Sequence, residues 1–422
     1  MKHTLLSLGV LCAAALGTPA MAADQFIYAG TWTNMPDEIG SATYPEGIYG
    51  FRFNPETGQL TSLGLVARTP MPDSLAASPS GHALFASRHN GCVCLMGFPF
   101  PGAPKPVIQA YAVDPASGAI KLQTTVDATG DVPADIRVSP DGQTLAVGTF
   151  YGGTVGTFHI ASDGRLSNAV SIRQHSGPSV HYPEGPHAHG IGFSPDNRWL
   201  YVAELGLDRV YRYPIDPETA ALLDTPPASI QLPEGSGPRH VAVHPNGKWL
   251  YVNNEQGGSI TALQSAEAGL KEIGTVPLMP ADADVTAVGA AEIRMSPDGR
   301  LLYANSRSYE GVSVFAIDGK TGALKFLQFA RTDMKAADGA STPALRKARI
   351  DTWRKLPTPL RVGSGARAFT LDATGNWLIS ANLAENRLVV LKRDPQTGLL
   401  SPTKTNAFVP HPSGIAVLEV AK

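Results

Sequence analysis

The chain has 422 residues, which is enough for a large hydrophobic core and for more than one ordinary domain. Only 17% of the residues are charged and the formal net charge is -2, so the composition indicates neither nucleic acid nor an anionic membrane as a partner. Glycine (43) and proline (35) are frequent but spread along the chain, which is typical of many short strands joined by turns.

The first 22 residues have the pattern of a secretory signal peptide. A short basic start precedes an apolar run from Leu5 to Leu16, and a small-residue cleavage site ends at Ala22. The run is too short to span a bilayer, so a membrane anchor is the weaker interpretation, as is a buried first strand. We therefore predict export to the periplasm or the medium, with residues 23–422 as one mature domain.

The mature chain would keep two cysteines, Cys92 and Cys94. A disulfide across one intervening residue is strained, and two cysteines alone make no disulfide framework. A metal role would need further ligands, so we expect an oxidisable pair in a surface insertion.

Two turn signals alternate along the chain, most of them repeating every 50–60 residues or so. The first, Ser-Pro-x-Gly or a variant, occurs at 78–81, 139–142, 194–197, 244–247, 296–299 and, degraded, 372–375. The second, Asp-Pro-x-Thr-Gly or a variant, begins at Asn54, Asp114, Ser162, Asp216, Glu267, Asp318 and Asp394. Each period reads as four antiparallel strands, so the sequence predicts an all-β, seven-bladed β-propeller. A two-sheet sandwich would not keep the period, and a solenoid repeat is shorter.

The two ends of the chain support ring closure. The first period begins with a strand at Phe26–Gly30 that lacks a preceding Ser-Pro-x-Gly turn. The last segment, Pro412–Glu419, resembles a first strand without the rest of its blade. We predict that it completes the first blade, so that pairing of the two termini closes the ring and few strand edges stay open.

Insertions at about 89–106 and 331–360 break the period. Within the second, residues 343–356 can form a short basic helix with Pro343 near its first turn and Pro357 after its end. A solvated surface insertion is the simpler interpretation, since loops tolerate insertions. A lid is the alternative, because the segment leads into the strand that carries Arg367.

Equivalent positions in the first strands predict a ring of side chains around one mouth of the central channel. The residue six places before the turn proline, or before Ala373 in the degraded turn, is Asp73, Ala134, His189, Arg239, Ala291 or Arg367. Beside them stand Ser74, Asp135, Gly190, His240, Glu292 and Ala368. The ends of the second strands are expected to reach the same mouth, adding Arg88, Tyr151, Glu204, Glu255 and Arg307. Imidazole, guanidinium and carboxylate groups would then share one concave site.

Several features are weaker evidence for function. Propeller channels are wet, so a single polar residue there proves little, and we expect His240 and Asp208 to bridge blades structurally. His187 and His189 lack an Asp, Glu or Cys set at metal-like spacing, so we expect no metal. The sequence has no serine-hydrolase elbow and no phosphate-binding glycine loop, so we expect no nucleotide or other cofactor.

Several longer segments carry a family resemblance. The stretches PHAHGIGFSPDNRWLYVAELGLDRVYRY, GSGPRHVAVHPNGKWLYVNNE, AAEIRMSPDGRLLYANSRSYEGVSVFAID and NRLVVLKRDPQTGLL resemble the lactonase family of seven-bladed propellers. That family includes propeller-type 6-phosphogluconolactonases and carboxy-muconate lactonizing enzymes. The resemblance runs from Phe26 to Val420, and it implies a site at His189, Arg239, Glu255 and Arg307.

Three features depart from that family. The chain has an export signal, whereas the phosphogluconolactonases work in the cytoplasm, and it has the two insertions. Its sixth unit reads Gly-Ala-Arg-Ala-Phe where the family often has an aromatic residue and Pro-Arg. The export signal argues against a phosphorylated sugar lactone, which is an intracellular metabolite.

We therefore predict an exported lactone hydrolase. Opening a lactone needs a base and positive groups for the oxyanion, so His189 is the expected base and Glu255 its orienter or an alternate base. Arg239 and Arg307 would bind a carboxylate or phosphate, or the oxyanion. Additional substrate contacts are expected from Arg367, Glu204, Tyr151, Asp73 and Arg88.

Two alternatives stay open: a carboxy-muconate-type cycloisomerase, and a non-enzymatic propeller that binds a ligand at its rim. The expected partner is a small lactone or carboxylate. We expect a monomer without a membrane anchor and without nucleic acid as a partner.

Overall fold

A computed structural model describes residues 25–32, 47–89, 105–179, 185–280, 289–332, 365–383 and 385–419. Within these residues the chain forms 28 strands and no helix. The strands make seven antiparallel sheets of four strands each, which are the blades of a β-propeller. The predicted fold class is confirmed.

The blades follow one another in chain order, and within each blade the first-named strand lines the channel and the last lies at the outer edge. Blade 1 comprises β28 (Pro412–Glu419), β1 (Gln25–Thr31), β2 (Ile48–Asn54) and β3 (Gln59–Ala67); blade 2 comprises β4 (Pro72–Ala77), β5 (Ala83–Arg88), β6 (Val107–Val113) and β7 (Ile120–Asp127). Blade 3 comprises β8 (Asp131–Val138), β9 (Thr144–Tyr151), β10 (Thr154–Ile160) and β11 (Leu166–Gln174); blade 4 comprises β12 (Ala188–Phe193), β13 (Trp199–Glu204), β14 (Arg209–Pro214) and β15 (Ala228–Gln231). Blade 5 comprises β16 (Pro238–Val243), β17 (Trp249–Asn254), β18 (Ser259–Ala266) and β19 (Gly269–Pro277); blade 6 comprises β20 (Ala290–Met295), β21 (Leu301–Ser306), β22 (Gly311–Ile317) and β23 (Leu324–Arg331). Blade 7 comprises β24 (Ala366–Leu371), β25 (Trp377–Asn382), β26 (Arg387–Arg393) and β27 (Leu400–Phe408).

The Ser-Pro-x-Gly signals form the turns between first and second strands. In blade 3, the Gly142 amide donates to the Ser139 carbonyl at 2.9 Å, and the Ser139 hydroxyl accepts from the Thr144 amide at 2.9 Å. The last turn position has a positive φ, which is 76° at Gly142 and 58° at Asn197. Glycine and asparagine tolerate that conformation best, which explains their recurrence at this place.

The termini close the ring as predicted. Strand β1 pairs with β28 from Gln25 opposite Glu419 to Thr31 opposite Pro412. The seam between blades 7 and 1 is fastened further by Trp377, whose indole Nε1 donates to the Pro55 carbonyl at 2.7 Å. Every strand of blade 1 thereby has the neighbours that a continuous blade would have.

The hydrophobic core is divided among the blade interfaces. Among the described residues, one cluster of buried apolar side chains spans each of the seven interfaces. Between blades 7 and 1, for example, Phe51, Trp377 and Ile415 belong to one cluster. Adjacent blades are thus held together by apolar burial.

Each inner strand contains a β-bulge near its start, where the register with the second strand shifts by one residue. A bulge adds an unpaired residue and re-aims its side chain. The bulged stretches hold Ser413, Asp73, Ala134, His189, Arg239, Ala291 and Arg367 in blades 1 to 7. Six of these are the predicted channel positions.

Some predictions concern residues outside the described ranges. These are the signal peptide, the pair Cys92 and Cys94, the helix at 343–356, and most of both insertions. In the described part of the chain, no helix is long and apolar enough to cross a membrane.

Candidate active site

One carboxylate is shared by two arginines from neighbouring blades. Arg239 lies in the bulge of β16, Glu255 directly follows β17, and Arg307 directly follows β21. Arg239 Nε lies 2.8 Å from Glu255 Oε2, and Arg307 Nη2 donates to Glu255 Oε1. Both arginines are buried, whereas the Glu255 side chain keeps 20% of its surface exposed. We call these three residues the Arg–Glu–Arg fork.

The charges of the fork are fixed at neutral pH. Burial alone would raise the pKa of Glu255, but the guanidinium groups of Arg307 and Arg239 hold it below its ordinary value. Burial lowers the pKa of Arg239 to about 10, which still leaves the group protonated. Because Glu255 is ionised and both of its oxygens are engaged, its geometry suits an orienter better than a base.

His189 lies in the bulge of β12, next to the fork. Its side chain is buried, with the ring centroid 5.1 Å from that of His240 and 5.8 Å from that of Phe150. Burial, followed by the positive charge of Arg239, holds the pKa of His189 well below its usual value of 6.5. Nδ1 is buried and has no hydrogen-bond partner among the described residues. His189 is therefore a neutral imidazole with unused hydrogen-bonding capacity.

Arg367 is held on the opposite side of the mouth. Its Nη2 donates to both carboxylate oxygens of Asp73, each at 3.0 Å. Its guanidinium carbon lies 4.0 Å from the ring centroid of Trp32, a cation–π arrangement. Burial alone would raise the pKa of Asp73, but Arg367 holds it below its ordinary value, so this carboxylate stays ionised.

Below the mouth, charged side chains form a network that we call the channel belt: Asp135, Arg137, Glu292 and Arg294. Arg137 contacts Asp135 at 3.0 Å and Glu292 at 3.3 Å. Arg294 contacts Glu292 at 3.4 Å. All four line a cavity that also touches Asp73, Arg239 and Arg367. Two carboxylates and two guanidinium groups thus balance one another within the belt.

Three predicted substrate contacts lie apart from this cluster in the described contacts. Glu204 is fully buried, and its carboxylate accepts from the His187 amide and pairs with His175 Nδ1. The Tyr151 ring packs edge-on against His187, with centroids 5.3 Å apart. Arg88 donates to the Lys105 carbonyl through Nε at 3.2 Å and Nη2 at 2.8 Å. Their roles at the substrate stay predictions.

His240 and Asp208 bridge segments as expected. His240 Nδ1 lies 3.0 Å from Glu292 Oε1 of the next blade. Asp208 accepts from the amides of Gly235 at 2.8 Å and Gly237 at 2.6 Å, in the loop that enters blade 5.

Sequence reasoning missed two residues of the mouth. Ser413 occupies the bulge of blade 1, but no Ser-Pro-x-Gly signal in the sequence marks its position. Trp32 follows β1 and has no counterpart at a repeated spacing. In the described residues, no group of three or more His, Cys, Asp or Glu side chains is arranged to hold a metal ion.

Comparison with known proteins identifies the class to which this fold and mouth belong. The family model "Lactonase, 7-bladed beta-propeller" matches residues 26–336 and 358–417. The chain therefore belongs to the lactonase family of seven-bladed β-propellers, which confirms the predicted resemblance and identifies it as an enzyme of that family.

Individual relatives cover nearly the whole chain. It is 27% identical over 389 residues to a 6-phosphogluconolactonase of Bacillus subtilis, covering 91% of this chain and 96% of the relative. A 6-phosphogluconolactonase of Formosa agariphila is 26% identical over 359 residues, covering 84% and 90%. The solved periplasmic gluconolactonase of Pseudomonas aeruginosa is 26% identical, with a TM-score of 0.75 and coverage of 94% of this chain and 100% of that one.

Proposed function

We propose that this protein is an exported hydrolase that opens a sugar lactone at the channel mouth. The observation that carries the proposal is a neutral, buried imidazole at His189 beside the two guanidinium groups of the Arg–Glu–Arg fork. A base and a positive anion-binding pair are the two elements that lactone opening requires.

In the proposed reaction, His189 takes a proton from water as the water oxygen bonds to the lactone carbonyl carbon. The carbonyl electron pair moves onto its oxygen, and Arg239 and Arg307 stabilise the resulting oxyanion. The bond from that carbon to the ring oxygen then breaks, and the imidazolium returns its proton to the ring oxygen. The product is a hydroxy acid, which ionises and releases one proton to solvent.

Glu255 orients the two arginines in this scheme and does not act as a base. Its ionised oxygens keep both guanidinium groups on one side of the mouth, so little reorganisation is needed when the oxyanion forms. Arg367, held by Asp73, is proposed to bind a distal oxygen or carboxylate of the substrate.

We propose an unphosphorylated sugar lactone as the substrate. A phosphorylated sugar lactone is an intracellular metabolite, and the first 22 residues carry an export pattern. The similarity to a periplasmic gluconolactonase supports the same compartment and substrate class. N-terminal sequencing of the protein recovered from the periplasm tests export: a mature start at Ala23 supports it, and an intact Met1 in the cytoplasm contradicts it.

The activity test offers purified protein a panel of lactones: glucono-1,5-lactone, its 6-phosphate, galactono-1,4-lactone and δ-valerolactone. Ring opening is followed as proton release. We expect the unphosphorylated sugar lactones to react fastest, and His189→Ala to lower the rate about 10²–10⁴-fold. Arg239→Ala is the second variant, and Arg165→Gln, on an exposed turn, is the matched control.

Wild-type rates in both His189→Ala and Arg239→Ala would show that the site is wrong. Turnover of no lactone would favour the non-enzymatic propeller. Absorbance of a muconate substrate tests lactonization, and a change in that absorbance without hydrolysis of sugar lactones would favour the cycloisomerase.

A further inference from the structure

A hydrogen-bonded chain joins the channel belt to the Arg–Glu–Arg fork through His240. His240 Nδ1 lies 3.0 Å from Glu292 Oε1, and Arg239 Nη1 lies 3.1 Å from His240 Nε2 and also donates to the Ala291 carbonyl. Arg239 Nε in turn lies 2.8 Å from Glu255 Oε2. His240 is thus the one link between a belt carboxylate and a fork guanidinium in the described contacts.

The charges at both ends of the chain determine which nitrogen of His240 carries the proton. Glu292 is ionised, because Arg294, His240 and Arg137 hold its pKa well below the ordinary value although burial opposes this. A carboxylate accepts hydrogen bonds and a guanidinium only donates them. Nδ1 must therefore carry the proton and donate to Glu292, which leaves the Nε2 lone pair to accept from Arg239.

Glu292 is itself held in place from several directions. Its side chain contacts Arg137 and Arg294, its Oε1 accepts from the Ile293 amide at 3.1 Å, and its own amide donates to Asn305 Oδ1. A carboxylate fixed in this way gives the imidazole one orientation and one tautomer.

We propose that His240 is a positioning residue that orients Arg239 for the lactone. Its Nε2 holds Nη1 of Arg239 together with the Ala291 carbonyl, while Arg239 Nε lies 2.8 Å from Glu255 Oε2. His240 acts through Arg239 and does not contact the substrate. The proposal rests on the hydrolase function above for its catalytic consequence, but the orientation of Arg239 can be tested without any activity.

Two substitutions separate the two hydrogen bonds of His240. In His240→Asn, the side-chain amide reaches the place of Nδ1, so the donor to Glu292 is kept and the acceptor for Arg239 is lost. In His240→Gln, the amide reaches the place of Nε2, so the acceptor for Arg239 is kept. We expect His240→Asn to lower kcat roughly tenfold or more with a smaller change in KM, and His240→Gln to retain most of kcat.

The matched control is His244, a second histidine of blade 5. Its Nε2 bonds to the Gly299 carbonyl of blade 6 at 3.0 Å, and its Nδ1 accepts from the Asn246 amide at 3.0 Å. This histidine also bridges two blades, but it lies in a turn away from the mouth. His244→Asn should lower the melting temperature without changing kcat or KM.

Crystal structures of the two His240 variants supply the readout that is independent of activity. We expect the Arg239–Glu255 pair to be broken or rotated in His240→Asn and intact in His240→Gln. If Arg239 keeps its position in His240→Asn, or if both variants lose activity equally, the positioning role is overturned. If the wild-type protein opens no lactone while Arg239 still moves in His240→Asn, the hydrolase proposal fails and the positioning role stands.

Discussion

His189 combines a neutral ring, which a general base needs, with a place beside positive charge, which favours a bound anion. Burial disfavours the imidazolium, and Arg239, His240, Arg367 and Arg307 add to that effect. The same positive groups would stabilise negative charge developing on a bound lactone. In the proposed reaction, one electrostatic environment would keep the base neutral and stabilise the oxyanion.

The fall of kcat/KM at low pH should reflect this environment of His189. Only the unprotonated imidazole can accept a proton from water, and the pKa of His189 is held well below 6.5. We expect kcat/KM for an uncharged lactone to stay level from neutral pH to below 6.5, and to fall as the pH passes through the lowered pKa. The pH profile of kcat/KM, which reports groups of the free enzyme, is the measurement. An acid limb centred at or above 6.5 would contradict a depressed pKa for the base.

The Arg–Glu–Arg fork is expected to stabilise the folded protein. Glu255→Gln keeps the shape of the side chain but leaves two buried guanidinium groups without a counter-ion. Removing one partner of a buried ion pair typically costs about 3 kcal/mol, so we expect a loss of this size in the free energy of unfolding. Activity should fall as well, because the two arginines then repel each other. Urea unfolding and the lactone assay measure both effects.

A substitution in an exposed ion pair is the control for the loss of stability in Glu255→Gln. Arg165 and Asp163 are 2.7 Å apart, with side chains that are 62% and 46% exposed. Arg165→Gln should lower the free energy of unfolding much less than Glu255→Gln does, since solvent screens surface pairs. If Glu255→Gln costs no more than Arg165→Gln, the fork does not hold its arginines by charge.

At the scale of the strand, the β-bulge is the feature that builds the site. The sequence predicted the right channel positions because a fixed spacing of six residues separates them from a turn that is easy to recognise. It did not predict the bulge itself, which depends on pairing between two strands. Nor did it predict Ser413, because no Ser-Pro-x-Gly signal marks Pro412–Glu419 in the sequence.

The second-strand ends were harder to interpret from sequence. Arg88 and Arg307 occupy similar places, yet Arg307 reaches Glu255 whereas Arg88 donates to the Lys105 carbonyl. Glu204 likewise pairs with His175, which directly follows the outer strand of blade 3. The direction of such a side chain depends on which partner is nearest in space. The spacing of a sequence repeat does not show which residue that partner is.

In the bulge of β12, there is no room for a side chain at Gly190, the residue after His189. A Cβ at Gly190 would lie 2.5 Å from His240 Cα and closer still to the Arg239 carbonyl oxygen. Gly190→Ala should therefore separate β12 from β16, lower the melting temperature and displace His189 from Arg239. Thermal unfolding and kcat/KM are the measurements. Gly274→Ala is the control, because a Cβ at Gly274 meets nothing within 4 Å; equal behaviour of the two variants would contradict the expectation.

At the scale of the whole molecule, the ring depends on one pair of strands that are distant in sequence. The pairing of β28 with β1 completes blade 1, and Ile415 joins the apolar cluster between blades 7 and 1. The same strand carries Ser413 to the channel cavity. The turn pattern predicted this closure, since a first strand appears at the C-terminal end and is missing at the N-terminal end.

Removal of β28 should open the ring. A chain that ends at Phe408 leaves β1 with an unpaired edge along the channel and exposes apolar side chains of blades 7 and 1. Unpaired strand edges and exposed apolar surface promote association between chains. We expect a lower melting temperature, a broader unfolding transition and aggregation in size-exclusion chromatography. A chain that ends at Glu419, and so keeps all of β28, is the control and should behave as wild type. A monomeric Phe408 truncation with the wild-type melting temperature would show that the other blade interfaces hold the ring without this seam.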